Sequence, residues 1–365
     1  MRNVPNSRRA ARGGVFPMRG IAVLSLVLAL AAAVPRATAA GEETRLYPVV
    51  RGGKWGYIDN AGKVAIEPRF LAAFKFSEGL APVKIVDAPE RSRGYIDRTG
   101  KVVIPAQFDW NGGFSEGLAH VKVGGRMGYV DRAGKMAIPA VYQGNYAFSD
   151  GLGMVVDDST KFGFVDKSGK AVIPPAYDSA FSFSEGVAVA LVKGKPVYID
   201  RKGKTAIDAS RFDVAMPFFE GRAIVKVSDR WGFIDRKGAV VIPTKYDGAF
   251  PFSEGLAAVN KGGRYRQEPT PRIDGGKWGF VDRAGKAVIA PSYDFVRKFS
   301  EGLAPVMTKG PSGALWGYVD NNGQTVIPPR FDEAEEFQGG IARVKVQGKT
   351  GYVGRDGKYV WGPAD

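Results

Sequence analysis

The sequence predicts an all-β protein, a tandem array of about nine three-stranded antiparallel β-meander repeats. A curved open superhelix is expected in preference to a propeller-like ring. Three observations carry this prediction. First, one motif is written nine times: G-[Y/F]-[I/V]-D-x-x-G-K, then a V-I-P-like run, then F-S-E-G-L-A. Its aromatic is Tyr57, Tyr95, Tyr129, Phe164, Tyr198, Phe233, Phe280, Tyr318 and Tyr352, at spacings of 34 to 38 residues with one gap of 47. A fixed period of this size marks a solenoid, propeller or array. Second, the apolar residues inside each copy alternate with other types, as in half-buried strands. Third, Gly-rich turns separate these runs, and no copy carries a long helical period.

The first 40 residues lie outside the repeat. They hold six Arg and no acid, an apolar run from Ile21 to Val34, then Ala37-Thr38-Ala39. A basic start, a short apolar stretch and a small-x-small site describe a secretory signal peptide. The run is too short for a comfortable membrane span, which needs about 20 residues. The chain therefore divides into a signal peptide, 1–40, and a repeat array, 41–365. Ser7-Arg8-Arg9 is compatible with twin-Arg export, and Met18 with a second start. Cleavage near Ala40 or Gly41 takes the formal charge from +15 to +9 by removing those six Arg.

Within one repeat the first strand is Leu80–Val86 or its equivalents Leu118–Val123, Val187–Val192, Arg222–Val227 and Ile341–Val346. A Gly-rich link such as Gly124-Gly125 follows, because Gly supplies the positive φ of a tight hairpin. The second strand is Trp55-Gly56-Tyr57-Ile58-Asp59. Its Gly recurs in every copy except at Val197. Gly weakens a strand, so its recurrence predicts a neighbouring aromatic or backbone pressed close over it. In Asp59-Asn60-Ala61-Gly62-Lys63 the Asp is expected to cap a turn, with Gly in the left-handed region and Lys paired back to the Asp. A row of metal ligands is disfavoured, since each copy offers one carboxylate and hard cations want six or more oxygens. The third strand is short and carries a Pro (Pro105, Pro174, Pro243, Pro328), which cannot donate to a ladder and so either ends the strand or places it at an edge. A connector with Tyr/Phe-Asp and F-S-E-G then leads to the next copy.

Three short strands cannot bury both faces alone, so each unit must gain stability by stacking on its neighbours. The array begins on Leu46–Val50 and ends on Lys358–Trp361 as whole units. Nothing in the sequence suggests an exchanged strand, which favours the open arrangement.

These elements, recurring in order over about residues 45–361, resemble the WG-repeat family of bacterial proteins. The Trp persists as Trp55, Trp231, Trp278 and Trp316. Arg93, Met127, Phe162, Pro196 and Thr350 replace it elsewhere. Copy five departs furthest, with Lys195-Pro196-Val197. Copy nine has Gly354 for the Asp and is expected to be a cap. The resemblance implies an all-β repeat architecture in exported or envelope proteins. It supplies no agreed activity and no catalytic residues.

No catalytic constellation is present. The chain has no Cys, which excludes disulfides, and one His, His120, inside a strand-like run without a nucleophile motif. No cofactor is expected. Two rows of like residues would follow from stacking. The acids Glu78, Glu116, Asp150, Glu185, Glu220, Glu254 and Glu301 would form either a stripe for cationic or polyhydroxyl ligands or a set of caps on local backbone N–H groups. The second reading is the commoner one. The repeated aromatics would stack on sugars if exposed, but regular aromatics are more often core.

The irregularities are stronger candidates. A long insertion, Lys261–Gly276, precedes Trp278. Shorter ones, Asp87–Ser92 and Thr308–Gly313, occupy the same link. Insertions at one repeat position map to one face, often the binding face. Arg264, Tyr265, Arg266 and Arg272 are the candidate binding residues, suited to a carboxylate or phosphate. The expectation is a non-catalytic, exported binding or scaffold protein, periplasmic or secreted. Its partner would be a protein or an anionic envelope polymer, not nucleic acid, with no stable membrane span after signal cleavage. The alternatives are a cell-wall glycan-binding module and a hydrolase with a propeller-like site.

Overall fold

The computed structural model describes residues 45–266, 272–311 and 313–364. The expected signal peptide and the tip of the long insertion, 267–271, lie outside these residues. No described helix is long and apolar enough to cross a membrane.

Nine small antiparallel sheets form the blades of a propeller. Blade one is the three-stranded meander that the sequence predicts: Tyr47–Arg51, Lys54–Ile58 and Val64–Phe70. The other eight add a strand drawn from the connector. Blade two runs Ala72–Ala73, Ala81–Lys84, Arg93–Ile96, Val102–Phe108. Blades three to nine open with Trp110–Ser115, Gly144–Asn145, Ser179–Ala180, Val214–Phe219, Gly248–Ala249, Phe295–Val296 and Glu333–Ala334. This extra strand sits at the hub. Its first residue always pairs with the residue twelve positions later, from Ala72↔Lys84 to Glu333↔Lys345. The V-I-P strand is at the rim, where Val102, Val172, Val240, Val288 and Val326 are exposed. Its Pro suits an outer edge that needs no donor.

The ring closes, and the open superhelix favoured from sequence is not formed. The Gly of each D-x-x-G turn lies on the rim strand of the preceding blade. An added Cβ at Gly100 would stand 2.7 Å from Ile66, and one at Gly134 2.7 Å from Ile104. At Gly62 of blade one the same contact is made with the Val360 carbonyl of blade nine, at 2.1 Å. The core follows this geometry. It consists of nine apolar clusters, and each is shared by two adjacent blades. Tyr57, Ile66 and Phe70 of blade one pack with Ala81, Val83 and Ile96 of blade two. Tyr47, Val49 and Ile58 of blade one pack with Ile341 and Tyr352 of blade nine. A blade has no private core, so cohesion comes from neighbours.

Closure needs no exchanged strand because Tyr47 replaces what blade one lacks. At the other seams, the aromatic of one blade meets the Phe of the next F-S-E-G, as in Tyr95–Phe114 and Tyr318–Phe337. Tyr47 stands where the other blades have Ala81, Ala119 or Ala342, and its ring meets Tyr352 at 5.6 Å. Its hydroxyl donates to the Gln338 and Gly339 carbonyls at 2.6 and 3.2 Å. Tyr352 donates to the Pro48 carbonyl at 2.8 Å.

The strand glycine also has its cause. The rim strand bulges over it, so a Cβ at Gly279 would meet the Ile289 carbonyl at 2.3 Å and Pro291 N at 2.6 Å. In copy five the rim strand ends at Asp208, Thr205–Asp208, and Val197 pairs directly with Asp208 without the bulge that spans the glycine of the other copies, so a side chain fits there.

Candidate functional site

The two ring faces are chemically different. One carries the F-S-E-G and D-x-x-G turns. There the acids form a belt, each in the left-handed region with φ near 50°, from Glu78 (50°) to Glu301 (55°). Each carboxylate accepts the backbone N–H of the next blade's turn glycine. Examples are Glu78 from Gly117 at 3.0 Å, Asp150 from Gly186 at 2.6 Å, Glu220 from Gly255 at 2.9 Å and Glu301 from Gly340 at 2.9 Å. Cations of the following blade reinforce several, such as Arg283 on Glu220 at 2.9 Å and Lys167 on Glu116 at 3.4 Å. Their lone pairs are engaged, so the belt is an inter-blade latch and not a ligand stripe. The bonding is to backbone, as the commoner reading expects, but across blades instead of locally.

The D-x-x-G turn is capped as predicted. Asp59 Oδ1 accepts from Ala61 N and Lys63 N, both at 2.9 Å. The Lys contribution is its backbone N–H, not a salt bridge. Hydrogen bonds from the Thr99 and Ser168 side chains hold the Asp97 and Asp166 carboxyls below the usual range, and backbone N–H bonds do the same for Asp200.

The repeated aromatics are core. Tyr57, Tyr95, Tyr129, Phe164 and Phe233 are fully buried, and Trp278 nearly so. The tyrosine hydroxyls donate to carbonyls of the next blade, as Tyr57 does to Phe74 at 2.8 Å. Burial pushes their pKa values up, that of Tyr47 to about 12.

The opposite face carries the hairpin tips, and all three insertions map to it. In blade seven the hairpin extends to Ala257–Arg266 and Arg272–Val281. Asn260, fully buried, holds its base: it accepts from Gly263 N at 3.1 Å and donates to the Gly275 carbonyl at 3.3 Å. The alternation of the arm then sorts the four predicted binding residues. Tyr265 and Ile273 are cross-strand partners on the inner side. Tyr265 packs edge-on to Trp231 of blade six at 6.0 Å, under the Lys226 ammonium at 4.5 Å. It is a strut, not an exposed contact. Arg264, Arg266 and Arg272 are together on the exposed side with Asp274. Asp274 takes Arg272 at 2.7 Å and Arg266 at 3.5 Å.

Sequence reading missed two features of this face. The connector Asp caps the hairpin tip of its own blade, as Asp247 accepts Gly262 N at 2.7 Å and Asp294 accepts Lys309 N at 2.8 Å. The recurring Tyr/Phe-Asp pair was its signal. At the hub, Phe74 and Trp110 are exposed. Trp110 lies against His120 at 5.0 Å, and burial draws the His120 pKa down to about 4, so the ring is neutral at pH 7.

The repeat family described as WG containing repeat matches residues 55–85, 94–126, 127–159, 162–195, 198–231, 231–265, 278–310 and 316–349. No curated protein matches the chain. Among solved structures, BamB from Moraxella catarrhalis aligns with 10% identity over 79% of this chain and 97% of its own, TM-score 0.44. Hsv2 of Kluyveromyces lactis aligns with 11% identity over 56% and 71%, TM-score 0.35. The extracellular domain of the putative hybrid two component system BT4673 from B. thetaiotaomicron aligns with 11% identity over 87% and 41%, TM-score 0.35.

Proposed function

Because the chain belongs to the WG-repeat family, we propose that it is an exported, non-catalytic binding and scaffold protein that engages a protein or an anionic envelope polymer through its hairpin-tip face. The observation that carries this reading is the blade-seven arm. Arg266 and Arg272 are direct cross-strand partners, and Arg264 lies opposite Asp274. Like charges opposite each other destabilise a two-stranded ribbon. Here three guanidiniums lie on one side with a single carboxylate, which pairs with Arg266 and Arg272, so the arm retains uncompensated positive charge on a side that the fold leaves bare. Arg presents its donors in a planar fork that matches carboxylate and phosphate groups. The buried Asn260 and the Tyr265 strut hold that charge in place, which lowers the ordering cost of binding. Export rests on the N-terminal segment 1–40.

The test is a crosslinking pull-down from envelope extract with the mature chain and with Arg264→Ala/Arg266→Ala/Arg272→Ala. The reading expects captured material that disappears in the triple variant and declines as salt rises. Equal capture by both proteins sinks it. Export is checked separately by N-terminal sequencing, expected to begin at Ala40 or Gly41. A soluble cytoplasmic pool with the first 40 residues intact would refute that part.

A further inference from the structure

We propose that the seam between blade six and the blade-seven arm, lined by Lys226, Trp231 and Tyr265, is a carboxylate-binding site that holds one acidic group of the partner. This rests on the reading that the hairpin-tip face engages an anionic partner, and it names the group that is held. The site is on the inner side of the arm, whereas Arg264, Arg266 and Arg272 are on the exposed side.

Equivalent positions elsewhere in the ring show why the arm folds inward here. At the seam of blades seven and eight, Phe250 stacks on Trp278 at 4.6 Å, and Phe295, the first hub residue of blade eight, caps that Trp at 5.7 Å. One seam earlier the same register puts Gly248 where Phe295 stands and Trp231 where Trp278 stands. Gly248 has no side chain to cap Trp231, and the arm supplies one. Tyr265 reaches Trp231 edge-on, with ring centres 6.0 Å apart. Its cross-strand partner Ile273 lies over the hub glycine itself, since a Cβ at Gly248 would stand 2.9 Å from it. Trp231 is thereby only 7% exposed, and Tyr265 packs on the same cluster as Val214 and Ala249.

Two donors of this seam are unpaired. Trp231 Nε1 and Tyr265 Oη are buried without a hydrogen-bond partner among the described residues. The Lys226 ammonium stands over both rings, 5.6 Å from the centre of Trp231 and 4.5 Å from that of Tyr265. Lys226 is also the cross-strand partner of Trp231, on the same face of the sixth sheet. One group bound beside the ammonium is therefore within reach of both donors. The Lys226 side chain is 12% exposed, and its ion pair, at 3.3 Å, is with Asp229, which is 88% exposed. An acid so open to water is screened and compensates the ammonium little.

A buried donor without an acceptor costs its desolvation and calls for an explanation. A carboxylate supplies it. Its two oxygens can accept from the indole N–H and the tyrosine O–H, and its single charge matches the one ammonium over the two rings. A phosphate dianion would bring up to twice that charge to the same three groups.

The experiment titrates the mature protein by calorimetry with tetraglutamate, trigalacturonate, inorganic phosphate and the neutral tetraglutamine. Binding of tetraglutamate or of trigalacturonate is expected, and which of them binds tells a peptide acid from a sugar acid. Phosphate and tetraglutamine should bind about tenfold or more weakly, the size of a lost charge-assisted hydrogen bond. Tyr265→Phe and Trp231→Phe each remove one donor and keep a ring, and each should weaken the carboxylate probe by a similar factor, as should Lys226→Met. In the free protein Tyr265→Phe should leave the thermal midpoint unchanged or raise it, because a buried hydroxyl without a partner stabilises nothing. A lowered midpoint would mean that a resident water already satisfies the hydroxyl, and it would overturn the proposal. So would absence of binding by both carboxylate probes at about 1 mM, equal affinity for phosphate or tetraglutamine, or full affinity in Tyr265→Phe and Lys226→Met. Envelope capture that falls in the triple Arg variant, beside unchanged probe affinity in Tyr265→Phe, would keep the arm as a binding surface and remove this site. Tyr265-dependent probe binding beside equal capture by wild type and triple variant would do the reverse.

Discussion

The turn face and the hairpin-tip face are made from the same repeats, yet they spend their polar groups differently. On the turn face the carboxylates are committed to backbone: the acid belt caps glycine N–H groups across seams, and the D-x-x-G Asp residues cap their own turns. On the hairpin-tip face the Asp caps are local to one blade, and length, charge and aromatic content vary from blade to blade. The difference teaches where variation is affordable. A turn that latches two blades cannot change without loosening the ring. A hairpin tip that projects from one blade can lengthen at little cost, because loop-closure entropy grows slowly with length.

A set of substitutions and one titration sharpen that contrast. The largest effect belongs to the closing seam. Tyr47→Ala removes an aromatic contact and two carbonyl bonds, and it should cost about 3–5 kcal/mol in urea unfolding, whereas Tyr47→Phe should cost about 1 kcal/mol. Equal stability of Tyr47→Ala and wild type would mean that another contact closes the ring. Next, Gly279→Val drives a Cβ into the Ile289 carbonyl and should cost about 3 kcal/mol. At the hairpin tip, Gly348→Ala meets nothing within 4 Å and should cost about 1 kcal/mol for its left-handed φ of 78°. Glu254→Ala breaks one latch, on Glu301 N and Gly302 N. At that exposed position it should cost about 1 kcal/mol.

Acid should loosen the capped turns. The Asp97 and Asp166 carboxyls are held low in the folded protein by hydrogen bonds from Thr99 and Ser168. Their contribution to stability is full above the ordinary carboxylate value of about 3.9 and is lost as pH falls through the lower folded value. The thermal midpoint should therefore be flat near neutrality and fall at acidic pH, with a shallower fall in Asp97→Asn. An unchanged slope would remove the turn caps from the account. The smallest effect is expected at the arm, where Arg264→Ala/Arg266→Ala should move stability by less than about 0.5 kcal/mol. A larger loss would make those residues structural.

Much of the fold was legible because it is local. The strand alternation, the Asp-capped turn and the close approach over the strand glycine all follow from residues a few positions apart. The hub strand was not legible. It is two residues long in most blades and is defined only by pairing with a partner twelve positions on. Tyr265 had the same difficulty, since its inward turn depends on the parity of the arm and on Trp231 of another blade.

By itself the sequence determined the unit, its period, its turns and the face on which insertions fall, because these depend on backbone preferences and on spacing within one copy. Closure of nine units into a ring, the conversion of a row of acids into a latch, and the exposure of Phe74 and Trp110 were decided by tertiary structure. Each of those depends on how one blade is turned against the next, and the small rotation per repeat that adds up to a closed circle is set by packing between copies and is written in none of them alone.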